Sequence, residues 1–256
     1  MSWTRERKTF VTFVVIAFLL VVGTLISLPF IIKAPTCGDG VKNGSEIDVD
    51  CGGSCALVCK SDIVPLEIRW QRSVEVDEKT YDAVAYVLNK NNNAIPAYLV
   101  FKVTLSDKNG ATIVEKEGRT VILPGAATPL YVPNIAVNER IPVRTRFEIT
   151  EIGPFYSYSN TDFLKNVQVA DDQLFDNTTE TPRLTLTIKN TIFDKVEDID
   201  VYALLYDEED TLIAISKTYI ESIAPKSEKK AYFSWRSPFS SPKRFEFILV
   251  RDPFAR

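Results

Sequence analysis

The stretch Asp198-Ile199-Asp200-Val201-Tyr202-Ala203-Leu204-Leu205-Tyr206-Asp207 decides the fold of this chain, because another stretch about 100 residues earlier lies over it. That earlier stretch is Tyr98-Leu99-Val100-Phe101-Lys102-Val103-Thr104-Leu105-Ser106-Asp107. Both are apolar runs of strand length that end in an aspartate-led turn signal. Further anchors hold an offset near 100. Ile113 lies over Ile213, Ile122-Leu123-Pro124-Gly125 over Ile223-Ala224-Pro225-Lys226, and Arg146-Phe147-Glu148 over Arg244-Phe245-Glu246. Self-similarity at a fixed period marks a repeated module. Each copy reads as strand, Asn-containing turn, strand, acidic hairpin, strand, Pro-centred turn, strand and a last strand with Phe. Strand alternation puts Phe101, Val103 and Leu105 on one face of the first copy, and Val201, Ala203 and Leu205 on one face of the second.

The flanking sequence agrees. Ala83-Val84-Ala85-Tyr86-Val87-Leu88 and Arg183-Leu184-Thr185-Leu186-Thr187-Ile188 read as strands, and Asn91-Asn92-Asn93, Asp107-Lys108-Asn109-Gly110 and Asp207-Glu208-Glu209-Asp210 as turns. No segment after Ile32 holds a helical period over three turns. Short strands with regular turns predict β-sandwiches, over residues 61-152 and 162-256, with the boundary near Ile152 to Asp162. Trp70 and Trp235 are expected as core or domain-packing aromatics; an exposed tryptophan would instead offer a face to a sugar ring. The acidic tip Asp207 to Asp210 reads as a solvated hairpin, with cation binding as the other reading. Asn43-Gly44-Ser45 and Asn177-Thr178-Thr179 are glycosylation sequons.

Residues 9-32, from Thr9 to Ile32, carry no charge. A helix of that length spans roughly 36 Å, enough for a hydrocarbon core of about 30 Å. Arg5, Arg7 and Lys8 precede it, with Glu6 among them, and only Lys33 follows closely. The positive-inside rule puts residues 1-8 in the cytoplasm and the rest outside. A cleaved signal peptide would have a shorter apolar region and an A-x-A-like site, and Ser27-Leu28-Pro29-Phe30-Ile31-Ile32 is a poor one. The expectation is therefore an uncleaved, single-pass signal-anchor in the cell membrane, with Pro29 ending or kinking the helix near its outer end.

Charged residues are 25% of the chain, hydrophobic ones 45%, and the net charge is −4, which suits a folded protein and gives no basic face for nucleic acid. Histidine is absent. The commonest general base, the commonest zinc ligand and every Ser-His or Cys-His nucleophile pair go with it.

All four cysteines, Cys37, Cys51, Cys55 and Cys59, fall within a module at 33-60. Outside the cytoplasm an even number reads as two disulfides, with three possible pairings. A loop of about 15 residues, as from Cys37 to Cys51, would contribute roughly 3 kcal/mol. The competing reading is a zinc site of four thiolates, but the C-x2-C knuckles that grip zinc are missing. Between the cysteines lie Asp39, Asn43, Glu46, Asp48 and Asp50, a density of hard oxygen donors that could hold Ca²⁺. The order does not match an EF-hand loop, and the other reading is that these side chains serve Asx-turns. No other cofactor is expected.

The span from Cys37 to Cys59 resembles a short Cys-rich motif of bacterial and archaeal surface proteins, C-x-D-G-x-x-N-G-x-E-x-D-V-D-C-G-G-x-C-x-x-C, with one extra residue between the last two cysteines. The second β-copy resembles the FxLYD family of small immunoglobulin-like modules in bacterial envelope proteins. Lys189-Asn190, Val201-Tyr202-Ala203-Leu204-Leu205-Tyr206-Asp207 and Ile223-Ala224-Pro225-Lys226-Ser227 carry the likeness, and Ala203 stands where the family has Phe. The resemblance implies an extracytoplasmic sandwich and transfers no catalytic residue. The fold class expected is thus mainly β: a transmembrane helix, a small disulfide-rich module and two tandem immunoglobulin-like β-sandwich domains. The function expected is that of a non-catalytic structural or interaction protein of the cell envelope, whose partners are the membrane and other envelope proteins or itself. The alternatives are a calcium- or ligand-responsive sensor or adhesion module, and an enzyme, which would need carboxylates converging in a cleft.

Overall fold

The computed structural model describes residues 3–31, 36–158, 166–170 and 173–254. Lys33 and Asp162, used above for topology and for a domain boundary, lie outside these. The chain divides into two compact units at Cys55/Ala56, and both sandwiches belong to the second.

In the first unit, α1 (Trp3–Ile31) contains Arg7–Ser27, which is long and apolar enough to cross a membrane, with mean hydropathy 2.7 and none of it buried against the protein. Thr12 Oγ1 donates to the Lys8 carbonyl at 2.8 Å and Thr24 Oγ1 to the Leu20 carbonyl at 3.0 Å, so these two hydroxyls are satisfied within the helix. The helix runs on through Pro29 to Ile31, so the proline lies within the final turn and does not end it. There the missing N–H costs one hydrogen bond near an end that frays anyway.

The second unit is built of strands. In the first half these are β1 (Glu67–Asp77), β2 (Thr80–Leu88), β3 (Ala94–Pro96), β4 (Leu99–Ser106), β5 (Thr112–Thr120), β6 (Ala127–Ala136), β7 (Arg144–Ile152) and β8 (Phe155–Ser157). The second half holds β9 (Val167–Val169), β10 (Leu174–Asp176), β11 (Arg183–Asn190), β12 (Val196–Tyr206), β13 (Leu212–Ile223), β14 (Glu228–Ser234) and β15 (Arg244–Arg251). All pairings are antiparallel. The first half forms two three-stranded sheets, β1-β2-β6 and β5-β4-β7, and a two-stranded one, β3-β8; the second forms β10-β11-β14 and β13-β12-β15, with β9 also on β11. Each pair of sheets closes on its own apolar core. Ala83, Ala85, Val87 and Leu130 meet Phe101, Val103, Leu105 and Phe147 in one. Leu184, Leu186, Ile188 and Phe233 meet Val201, Ala203, Leu205 and Leu249 in the other. The chain is therefore mainly β, with sandwich-type sheet pairs, as the alternation predicts.

The same turn chemistry appears in both halves. Asp107 Oδ1 accepts from the N–H groups of Asn109 and Ala111 at 2.9 and 3.0 Å; Asp207 Oδ1 accepts from Glu209 and Thr211 at 3.0 and 2.8 Å. Fully buried Asn89 donates to the Ala94 carbonyl and accepts from Asn91 N–H. Fully buried Asn190 likewise donates to the Asp194 carbonyl and accepts from Ile192 N–H. Each asparagine closes the turn after a central strand by replacing backbone partners that the bend has removed.

A third core joins the sandwiches. On β12 the face opposite Val201, Ala203 and Leu205 is also buried: Tyr202, Leu204 and Tyr206 pack with Val84, Leu123, Leu212, Ile215 and Val250. Trp70, Val74 and Tyr86 complete it from the first sandwich, and Trp70 stacks on Tyr86 with ring centroids 5.2 Å apart. The outer face of β1-β2-β6 thus lies on the outer face of β13-β12-β15. Glu246 ties the two: it accepts from the Tyr86 hydroxyl of one sandwich and from the Tyr206 hydroxyl of the other, the latter at 2.9 Å. Burial first, then this carboxylate, pushes the Tyr86 phenol above its ordinary value.

Candidate functional site

Cys37 pairs with Cys55, not with Cys51, at a Cα–Cα distance of 5.5 Å. Cys51 and Cys59 are also disulfide-bonded, and no described cysteine is free. Without thiolates the four-sulfur zinc reading fails. The Cys37–Cys51 closure is prevented locally. Asp48 and Cys51 pair backbone to backbone in a tight turn, while Asp50 accepts from the Asp39 and Gly40 N–H groups and folds the start of the loop onto its end. Gly53, at φ +61°, sits where a Cβ would fall 1.8 Å from the Ser45 carbonyl oxygen, so only glycine fits.

The five candidate calcium ligands serve this loop. Asp39 accepts from Val41 N–H and from the Asn43 amide at 2.9 Å each, and these bonds, the Asn43 one first, hold its carboxyl below the ordinary value. Glu46 Oε2 accepts from the N–H groups of Asn43 and Asp50, and Asp48 from that of Val49. Among the described residues no three of these carboxylates bring oxygens together. The one convergent trio is Cys37, Glu46 and Cys55, and two of its members are disulfide sulfurs.

A cleft of about 1380 Å³ lies between the sandwiches. It adjoins the third core, with which its lining shares Tyr131, Tyr202, Ile215 and Val250. From the first sandwich come Asp82, Tyr98, Arg119, Tyr131 and Asn134; from the second come Arg183, Asp198, Asp200, Tyr202, Lys217, Tyr219, Tyr232 and Arg236.

Local backbone explains several of these positions. The β2–β6 ladder slips between Tyr81 and Ala83, and Asn134 there takes a left-handed φ of 55°. Asp82 faces the slip and satisfies it. Its carboxylate accepts from Asn134 N–H at 2.8 Å and from the Tyr131 hydroxyl at 2.7 Å. Asp82 is almost fully buried, and desolvation pushes its carboxyl up despite these bonds and the nearby Arg236 charge. Asp198, also left-handed at φ 56°, accepts from the Tyr219 hydroxyl, a bond that raises the Tyr219 phenol to about 12. Two of the non-glycine residues in this strained region therefore line the same cleft, and such residues concentrate at binding sites.

The charges are largely matched in advance. Lys217 pairs with Asp200 at 2.7 Å and lies over the Tyr202 ring at 5.4 Å. The Arg119 guanidinium lies 4.2 Å over the Tyr98 ring. Arg183 and Arg236 are exposed and form no ion pair among the described residues. Tyr219 and Tyr232 are 56% and 65% exposed, so their ring faces are open.

Of the tryptophans, Trp235 is a core residue: it is 7% exposed and donates to the Ile215 carbonyl. Trp70 is half-buried between the sandwiches. The acidic tip is paired, Glu208 with Lys243 and Asp210 with Arg244. The cleft residues were missed by sequence reasoning because they come from strands far apart in the chain. The available signal was the run Val201 to Tyr206, which is apolar at every position; a strand solvated on one face alternates instead.

No family model matches this sequence. No curated protein matches it either. Among solved structures it is similar to a red sea bream transglutaminase, at 10% identity over 74% of this chain and 30% of that one, with a TM-score of 0.25. A β-glucuronidase of glycoside hydrolase family 2 gives 11% identity over 64% and 21% of the two chains, with a TM-score of 0.21. The tandem CBM22-1-CBM22-2 domain of Paenibacillus barcinonensis Xyn10C gives 10% identity over 75% and 86%, with a TM-score of 0.17. The chain thus spans less than a third of the length of the first two.

Proposed function

We propose that this chain is a non-catalytic interaction protein of the cell envelope, anchored by α1 with its N-terminus in the cytoplasm, that presents the cleft between two duplicated, immunoglobulin-like sandwiches to an extracytoplasmic partner. The cleft carries the reading. It is about 1380 Å³, it gathers exposed tyrosines and two exposed arginines that form no ion pair among the described residues, and two left-handed residues lie in its wall. The flanking features support the placement. Basic residues precede the apolar helix, the cysteines are oxidised, and the chain has no histidine. The shared strand order and the recurring Asn and Asp turns support duplication.

The test fills the cleft. Ser234 is exposed on its wall, so S234W should occupy the space without touching a core. Protein bearing S234W should insert normally, with its C-terminal bulk cut by protease added to intact cells, yet lose the envelope components retained by the wild type. If S234W retains the same components, the cleft is not the interaction surface. Protection of the bulk from external protease would reverse the topology.

A further inference from the structure

We infer that the occupant of this cleft is an electroneutral saccharide chain. The inference rests on the cleft being the interaction surface and names the class of ligand it takes. Size comes first. Sites for single small molecules run to roughly 300–1,000 Å³, and this cleft is about 1380 Å³, so it suits an extended chain.

Charge comes second. The lining holds four carboxylates (Asp82, Asp198, Asp200, Asp252) and four cations (Arg119, Arg183, Lys217, Arg236), which sum to zero. A polyanion needs a cationic wall and a polycation an acidic one. Lys217 and Asp200 already neutralise each other, and Asp82 and Asp198 are held by tyrosine hydroxyls.

The kind of surface comes third. Five tyrosines line the cleft, and those at 219 and 232 expose their ring faces. A sugar ring has an apolar face of C–H groups that stacks on an aromatic face, and a rim of hydroxyls. Carboxylates and planar guanidinium forks, here Arg183 and Arg236, bind neighbouring hydroxyls two at a time. A peptide strand would instead need an open sheet edge with free N–H groups. Of the edge strands along the cleft, β6 carries Pro129 and Pro133, which have none to offer, but β5, β13 and β14 are edge strands there too, so an extended peptide is the competing occupant that the test must reject.

The test is titration calorimetry on the full chain in lipid nanodiscs, with hexasaccharides of β-1,4-linked glucose and of β-1,4-linked N-acetylglucosamine. Poly-glutamate and an uncharged unstructured peptide serve as competing probes. Wild type should bind at least one saccharide, with little dependence on salt. Y219A and Y232A, both at exposed positions, should each weaken binding by about tenfold, with urea midpoints measured beside wild type because Y219A also removes the hydroxyl from which Asp198 accepts. Y232F should retain it, because the ring face is kept. F193A, at an exposed aromatic in a loop outside the cleft, should change nothing. Binding of neither saccharide, saccharide binding indifferent to both alanine variants, or preference for poly-glutamate or the peptide would overturn the inference. If saccharide binding fails while S234W still loses its envelope partners, the ligand class is wrong and the cleft reading stands.

Discussion

Leu204 and Leu205 are neighbours on β12, both fully buried, yet they face different cores. Leu205 points into its own sandwich, and Leu204 into the core shared with the other. Replacing either by alanine removes three carbons, about 2.4 kcal/mol of transfer free energy at roughly 0.8 each, before any cavity term. With a partly collapsed cavity each variant should cost about 3–4 kcal/mol. The difference lies in where the cost appears. Trp70 sits in the shared core and Trp235 in the core of the second sandwich, so two variants that each keep one of them provide separate reporters. Urea unfolding of the full chain in detergent micelles, followed by tryptophan fluorescence, should show L205A moving the Trp235 transition most. L204A should move both transitions and separate them, because it weakens the apolar core shared by the sandwiches. If L204A costs less than about 1 kcal/mol, as an exposed strand position would, the packing of the two sandwiches argued here is wrong.

Asn190 donates to the Asp194, Ile223 and Ala224 carbonyls and accepts from Ile192 N–H, so N190A should cost about 3 kcal/mol in the same assay through buried groups left unpaired; a cost below 1 would refute its role as the turn's closure. Burial raises the Asp82 carboxyl above its ordinary 3.8, so the folded state binds its proton more tightly than the unfolded. Its contribution is fully present at acid pH and is lost as pH rises from 3.8 through the folded value. Wild type should therefore lose stability relative to D82N over that window, and melting temperatures measured against pH would refute this by a flat or opposite difference. A Cβ on Gly118 would lie 2.3 Å from the Phe101 ring, so G118V should destabilise by about 1–3 kcal/mol, and an unchanged urea midpoint would show that the ring moves freely aside. The Cys37–Cys55 bridge spans 18 residues, worth about 3 kcal/mol in the chain-entropy model, so C37S/C55S should make the loop at Lys42 trypsin-sensitive while leaving sandwich unfolding unchanged.

The sequence by itself determined what is local. An uncharged run long enough to cross a bilayer can satisfy its own backbone in lipid only as a helix, and it is a helix here. Asp107 and Asp207, or Asn89 and Asn190, specify their turns through bonds to residues a few positions away. Alternation placed Phe101, Val103, Leu105, Val201, Ala203 and Leu205 inward, since a face either meets an apolar core or does not. What only the tertiary structure decided was which distant surfaces meet. Periodicity reports that a face is buried without naming what covers it, so the second buried face of β12 and its partner on β2 could not be paired from sequence. Cys37 found Cys55 because the turns between them set the direction of approach. The cleft follows from the same cause. Tyr86 and Glu246 are separated by 160 positions, and the space beside their contact exists only once two separately specified sandwiches have packed.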